Sequence, residues 1–472
     1  MKRLTICLMM LIIFCAACSS PNAPGSSSDQ LAVPDVEKPN KEKANNSVSD
    51  KDNNKDQDNE PKTIVFSTFF PDDFFKEAKQ KYEALHPNIT IELKSASPDE
   101  AELEENLEKF VKTTNTAMLS GNGPDVLEMD QLPTGQYISK KLLTNLDELI
   151  ATDPDFKKEA YFSNVLDGLQ QNGGLYGMPL RFFVQALIGN ETAITQSGVD
   201  FDDRKWDWQQ FAATAKELVK HTDDKHQFAL NGTAEYVLNE MVNDQYAAFV
   251  DLQNGMATFD SPAFTALMEQ VKTLFAENII TEKPELALFR RVSIVSPADY
   301  IREMKMSEFL TKGNAYQSKL YFKPNANGKH GGSYFRTYTT LGINERSKVK
   351  AEAWDFIKFM LSEEMADGKA DSAGFPLNKA VYQKKTEQLL KEGKVKSDQP
   401  VGPMKDQQFP ITANDIAALD KFVTGAIYPV EFKPSKIEEI ILEEATAFFS
   451  GQKSADAVAK LIQNRVNTVL NE

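Results

Sequence analysis

The chain has 472 residues, 41% hydrophobic and 26% charged, with 53 Lys and Arg against 69 Asp and Glu and a formal net charge of −16. That apolar share supports a sizeable core and the length fits two or three domains, while the composition excludes collagen, a long coiled coil and a polytopic membrane protein. The acidic balance disfavours nucleic acid and anionic lipid surfaces as main partners. Cys7, Cys15 and Cys18 are the only cysteines, so the rest of the chain forms no disulfide and no thiolate metal site.

Lys2 and Arg3 precede the apolar run Leu4 to Ala17, which is short for a membrane span and fits a secretory h-region. The run ends in Cys15-Ala16-Ala17-Cys18, followed at once by Ser19-Ser20. This junction resembles a bacterial lipobox, which implies removal of residues 1–17 and a diacylglyceryl group on Cys18. It departs from the usual pattern at Cys15, where Leu is common. The alternative is an ordinary signal peptide cut after Ala-x-Ala. Several acyl chains on one cysteine hold a protein to a membrane stably. The expected location is therefore the outer face of the cell membrane of a Gram-positive-type cell, tethered by the lipid alone.

Residues 18–61 carry that cysteine and a tether of Ser, Pro, Asn, Asp and Lys without one aromatic residue. Such a stretch cannot offset its conformational entropy and is expected to be disordered, spanning about 35 Å as a coil. The run Asp50 to Lys55 is superficially like a calcium loop but lacks its glycine, and Pro61 stands where the bidentate Glu belongs. A solvated charge run is the simpler reading.

The body, 62–472, opens on alternating signals. Ile64-Val65-Phe66 marks a buried strand; Phe75, Ala78, Tyr82 and Leu85 mark a helix stopping at His86-Pro87. Ile89, Ile91 and Leu93 alternate as a second strand. Leu103 to Met118 is a second helix ended by Gly121, and Asp125 to Met129 a third strand. This order predicts an α/β fold with a parallel sheet and right-handed crossovers. Ligands then sit beyond the carboxyl ends of the strands, near Phe69-Phe70 and Asp130-Gln131. Further on, Asp207 with Gln210 forms a capping box, Ser261-Pro262 starts a helix, Ala353 to Leu361 is another, and two amphipathic helices end the chain.

Several phrases together resemble the family 1 extracellular solute-binding proteins, the sugar-type binding components of ABC importers. They include Phe74 to Ala78 with His86 to Ile89, Gly123-Pro124-Asp125-Val126, Leu142 to Asp147, Gly174 to Pro179, Trp206 to Phe211, Phe259 to Pro262, Leu341 to Asn344, Ala353 to Phe359 and Gly374 to Lys379. Their order covers nearly all of 62–472, most thinly in 284–340 and 380–434. The resemblance implies a type II, two-lobed periplasmic-binding-protein-like fold, with a hinge crossed near Pro179 to Gln185 and again within 285–305. Lobe one would combine 62–181 with about 300–340, and lobe two 182–299 with about 341–472. It also implies a monomer that traps a carbohydrate, an oligosaccharide by preference, and presents it to permease subunits served by a separate ATPase. A glycan-sensing or adhesion lipoprotein is the alternative.

No hydrolase, metalloprotease, redox or P-loop motif is present, and the four histidines are scattered, so no enzyme activity, metal or cofactor is expected. A glycosidase-like carboxylate pair is a matter of three-dimensional spacing and stays open. Sugar sites join aromatic faces to forked polar contacts. The candidates are Phe69, Phe70, Asp130, Gln131, Arg181, Phe183, Tyr334, Arg336 and Tyr338, with each phenylalanine of the Phe69-Phe70 pair as readily core as cleft. Trp208 and Trp354 read as core, and Trp206 is undecided. Arg181 and Arg336 hint at an acidic or sulfated sugar.

Overall fold

A computed structural model describes residues 60–70, 72–96, 102–222, 228–252, 254–283, 287–310, 317–325, 331–366, 373–430 and 435–471. The expected signal segment, Cys18 and nearly all of the expected tether lie outside these.

The first strand, Lys62–Thr68, pairs in parallel with Ile89–Ser95 on one side and with Val126–Glu128 on the other. The intervening helices are Asp73–Leu85, capped by Asp72, and Leu103–Ser120, closed by Gly121 at φ 84°. A left-handed residue at that position is where glycine carries no Cβ penalty. The opening is thus the expected parallel βαβ unit.

Beyond it the sheet changes character. Ser333–Ile343 runs antiparallel to Val126–Glu128, and Met178–Asn190 runs antiparallel to Ser333–Ile343. The far end of Met178–Asn190 pairs with Ala287–Ile294, which continues in parallel to Phe228–Asn231 and then to Ile280–Thr281. The 178–190 strand is therefore the bridge: 13 residues, about 43 Å at ~3.3 Å each, paired at one end with the 333–343 strand and at the other with the 287–294 strand. Its alternate residues Leu180, Phe182, Val184 and Ala186 enter the core, whereas Arg181, Phe183 and Gln185 are only half-buried on the opposite face.

Two large cores flank this bridge. One holds Ile64, Phe66, Phe75 and Tyr82 together with Phe182, Phe335, Ala353, Phe356 and Val423. The other holds Trp206, Phe211, Val237, Phe264 and Phe289 with Ile437, Phe448, Val458 and Leu470. A smaller one lies beside the third strand, around Met118, Leu127 and Tyr137.

The expected lobe boundaries need correction. Residues 350–426 were expected in lobe two, yet they pack with lobe one. Tyr82 donates its hydroxyl to Asp355 at 2.9 Å, Lys62 pairs with Glu352 at 2.5 Å, and the rings of Phe66 and Phe356 meet edge-on at 6.2 Å. The reason is topological: Ser333–Ile343 returns the chain to the edge of Val126–Glu128, so the helix after it, Lys350–Met360, lands on the first-lobe helix. Only Ser435–Phe449 and Ala455–Asn471 rejoin the second core. The 300–340 stretch is also mixed, because Ser318–Tyr321 pairs with Leu187–Asn190 at the second-lobe end of the bridge.

Local signals explain the helices. Asp207 and Gln210 form the reciprocal capping box, Ser261 caps Phe264 with Pro262 at the first turn, and Trp208 faces inward. Trp354 is also core, its indole donating to Asp153 at 2.8 Å. Trp206 is buried as well, donating to the Phe322 carbonyl at 2.9 Å.

Candidate functional site

The antiparallel register sets which side chains share a face. Arg181 lies opposite Tyr338, Phe183 opposite Arg336, and Gln185 opposite Tyr334. Directly opposed residues in such a ladder project to the same side, so all six belong to one face of the bridge. Phe183 and Tyr338, diagonal neighbours there, stack at 5.4 Å with their planes 24° apart. Tyr338 stays 41% exposed, which leaves an aromatic surface open beside two guanidinium groups.

Carboxylates approach the same ring. Asp72, Glu128 and Asp130 all act on the Tyr338 phenol, which burial and these charges raise above its usual range against the pull of Arg181. Asp130 accepts from the Thr339 amide at 2.7 Å and from the Thr340 amide at 3.0 Å, one bond to each oxygen. Thr339 has φ 59°, an unusual conformation for a β-branched residue, and the Asp130 carboxylate secures it. Asp130 thus fixes the strand beside Tyr338, and Gln131 follows half-buried in the next turn. Burial pushes the Asp130 carboxyl up, while these amides and the Arg336 charge oppose that. Glu128, bonded to the Thr68 hydroxyl, is pushed up to about 7 by burial and by Asp130 and Asp72.

Arg181 sits with its guanidinium 5.1 Å from the Phe74 ring centroid and donates to the Ala373 carbonyl at 3.4 Å. Gly374, at φ 88°, passes so close that a Cβ there would lie 2.7 Å from the Arg181 Cβ. A glycine at this position is what lets the 373–376 segment lie against the bridge.

The structure divides the two phenylalanines after the first strand. Phe69 is 2% exposed, packed on Phe110 at 5.4 Å, and is core; Phe70 is 47% exposed. Tyr334 differs from expectation: it is buried, its ring tilted against Tyr428 at 5.4 Å with the Lys323 ammonium 4.5 Å from its centroid. A buried ring offers no face for stacking on solute. Arg336 is exposed.

Sequence reasoning missed a second group. A cavity of about 230 Å³ continues the same face, lined by Gln185 and Ser293 of the crossing strands and by Tyr236, Glu240, Arg291 and Lys323. Arg291 pairs with Glu240 at 2.6 Å; Lys323 reaches Glu240 at 3.0 Å and Asp244 at 2.9 Å. Burial opposes charge on Lys323 and Glu240 alike, but their mutual attraction prevails, raising the Lys323 pKa and lowering that of Glu240. These residues come from three distant stretches of chain, so no local pattern announces them. The one available signal was Arg290-Arg291 within the expected second crossing.

The comparisons agree with this architecture. An extracellular solute-binding protein from Alicyclobacillus acidocaldarius aligns with a TM-score of 0.54 at 16% identity, over 88% of this chain and 99% of that one. The sugar-binding protein MalE from Xanthomonas citri aligns with a TM-score of 0.54 at 14% identity, over 87% and 98%. A de novo designed cysteine esterase aligns with a TM-score of 0.57 at 17% identity, over 88% and 98%. At these identities each likeness concerns the fold, the two-lobed arrangement of the binding proteins, and the body here has no cysteine with which to repeat the esterase's chemistry. A family model described as bacterial extracellular solute-binding protein matches residues 71–367. With more than half its length matched, the chain belongs to the bacterial extracellular solute-binding protein family.

Proposed function

We propose that the chain is a lipid-anchored receptor that captures a carbohydrate, an oligosaccharide by preference, between its two lobes and delivers it to an ABC import permease. The observation that carries this reading is the Phe183–Tyr338 ring pair, half open to solvent on the bridge strand and its neighbour, and flanked by Arg181, Arg336, Glu128 and Asp130. An aromatic face gives apolar contact to a sugar ring while charged forks around it bond hydroxyls. Family membership and the sugar-binding description of the Xanthomonas relative favour the same class of solute. The lobes would close around it, the bound solute stabilising the closed state by contacts made to both. No turnover is part of this role. Anchoring through Cys18, a separate ATPase and a monomeric receptor complete the proposal.

A thermal-shift screen of the full-length protein against mono- and oligosaccharides tests it. A ligand of the folded state raises the melting temperature by mass action, so at least one saccharide should do so. A flat response across the library would contradict carbohydrate capture.

A further inference from the structure

The cavity beside the bridge has its own chemistry. Its volume, about 230 Å³, leaves room for a sugar ring. At its wall Tyr236 is 50% exposed, with the Arg291 guanidinium 5.6 Å from its ring centroid. Deeper lie polar atoms without partners among the described residues: Oδ1 of Asn239, Oδ1 of Asn243 and Nη2 of Arg291. Asn239 is itself 2% exposed, its amide nitrogen held by Glu438 at 2.7 Å.

Resting on the carbohydrate reading above, we propose that this cavity is the subsite for one uncharged sugar ring, laid on Tyr236, and that it rejects acidic and sulfated sugars. The carboxylates of Glu240, Asp244 and Glu438 in the lining accept hydrogen bonds and donate none when charged. A hydroxyl can donate to such groups, whereas a carboxylate or sulfate only accepts and would meet them with repulsion. The cations are already committed. Lys323, with 4% of its side chain exposed, is clasped by Glu240 and Asp244, and Arg291 by Glu240 and the Asn231 carbonyl. An anionic ligand that drew either cation away would leave a buried carboxylate uncompensated. Three carboxylates, Glu240, Asp244 and Glu438, face two cations in the lining, so the local charge already opposes an anion. Arg181 and Arg336, which hinted at an acidic sugar in the sequence, are not among the residues that line this cavity.

Calorimetric titration of the full chain with two probe sets decides the matter. The neutral set is maltotriose, cellotriose, xylotriose and mannotriose; the acidic set is trigalacturonic acid and a heparin-derived tetrasaccharide. At least one neutral probe should bind, with the acidic ones weaker by about a hundredfold or more, a gap consistent with an uncompensated buried charge. An acidic probe that binds as tightly as the best neutral one overturns the inference and leaves carbohydrate capture standing. Failure of both sets overturns both. With the bound neutral probe, Tyr236→Ala should weaken affinity about tenfold and Tyr236→Phe about twofold at most, since the ring and not the hydroxyl supplies the contact. Wild-type affinity in a folded Tyr236→Ala protein would overturn the placement.

Discussion

Tyr338 and Phe183 stack between the bridge strand Met178–Asn190 and its antiparallel neighbour Ser333–Ile343, their centroids 5.4 Å apart, although the ladder pairs Tyr338 with Arg181 and not with Phe183. The diagonal contact turns two partly exposed rings into one platform next to Asp130 and both arginines. Tyr338→Ala should weaken solute binding by about 1–3 kcal/mol, mostly lost apolar contact, while the denaturant midpoint moves little. Titration calorimetry and urea melts on the same preparation separate those effects. A large stability loss with intact affinity would show that the ring is structural.

The two phenylalanines after the first strand should behave oppositely. Phe69→Ala opens a cavity beside Phe110 and should cost about 3–5 kcal/mol of stability. Phe70→Ala, at an exposed ring, should leave the melt nearly unchanged. Equal melting curves for the two variants would contradict the burial assigned to them.

Much of the scaffold was legible in the sequence because its signals are local. The triplet Ile64-Val65-Phe66, the stop at His86-Pro87, the capping box at Asp207 and the turn at Ser261-Pro262 each need only a few neighbouring residues. Lobe membership of 350–426 was not legible, since it depends on where an antiparallel strand delivers the chain. Tyr334 looked equivalent to Tyr338 by alternation, and both do lie on one face. Tyr428, from a strand that pairs with Ser333–Ile343 from far along the chain, covers the first and leaves the second open. The Glu240–Arg291–Lys323 group has little sequence signature beyond Arg290-Arg291, because its members come from distant stretches of chain that meet only in the fold.

Removing Lys323 should be costly. Lys323→Met leaves Glu240 and Asp244 facing each other without their shared cation, and the loss expected on breaking a buried ion network is about 3–5 kcal/mol. Urea denaturation checks this. A variant as stable as wild type would mean that solvent already compensates the carboxylates.

Glu128 gives a pH signature. Its folded-state pKa is raised to about 7 from an ordinary 4.5, so between those values the folded protein binds more protons at this site than the unfolded chain. Stability contributed here is therefore greatest at low pH and declines as pH rises through that window. Asp130, shifted in the same direction, adds to the decline. In Glu128→Gln the slope of melting temperature against pH between about 4.5 and 7 should be shallower than in wild type. An unchanged slope would place the titration elsewhere.

Cys18→Ala should abolish anchoring, either releasing the protein into the medium or leaving the precursor uncleaved, as read by detergent phase partition and mass. Wild-type protein that partitions wholly into the aqueous phase would count against the lipid anchor.

Capture between two lobes is the central claim, and small-angle scattering in the presence and absence of a saccharide shown to bind tests it most directly. The radius of gyration should fall on addition of that saccharide, and the fall should be lost in Tyr338→Ala at the same concentration. A radius unchanged with the saccharide fully bound would contradict closure of the lobes around it.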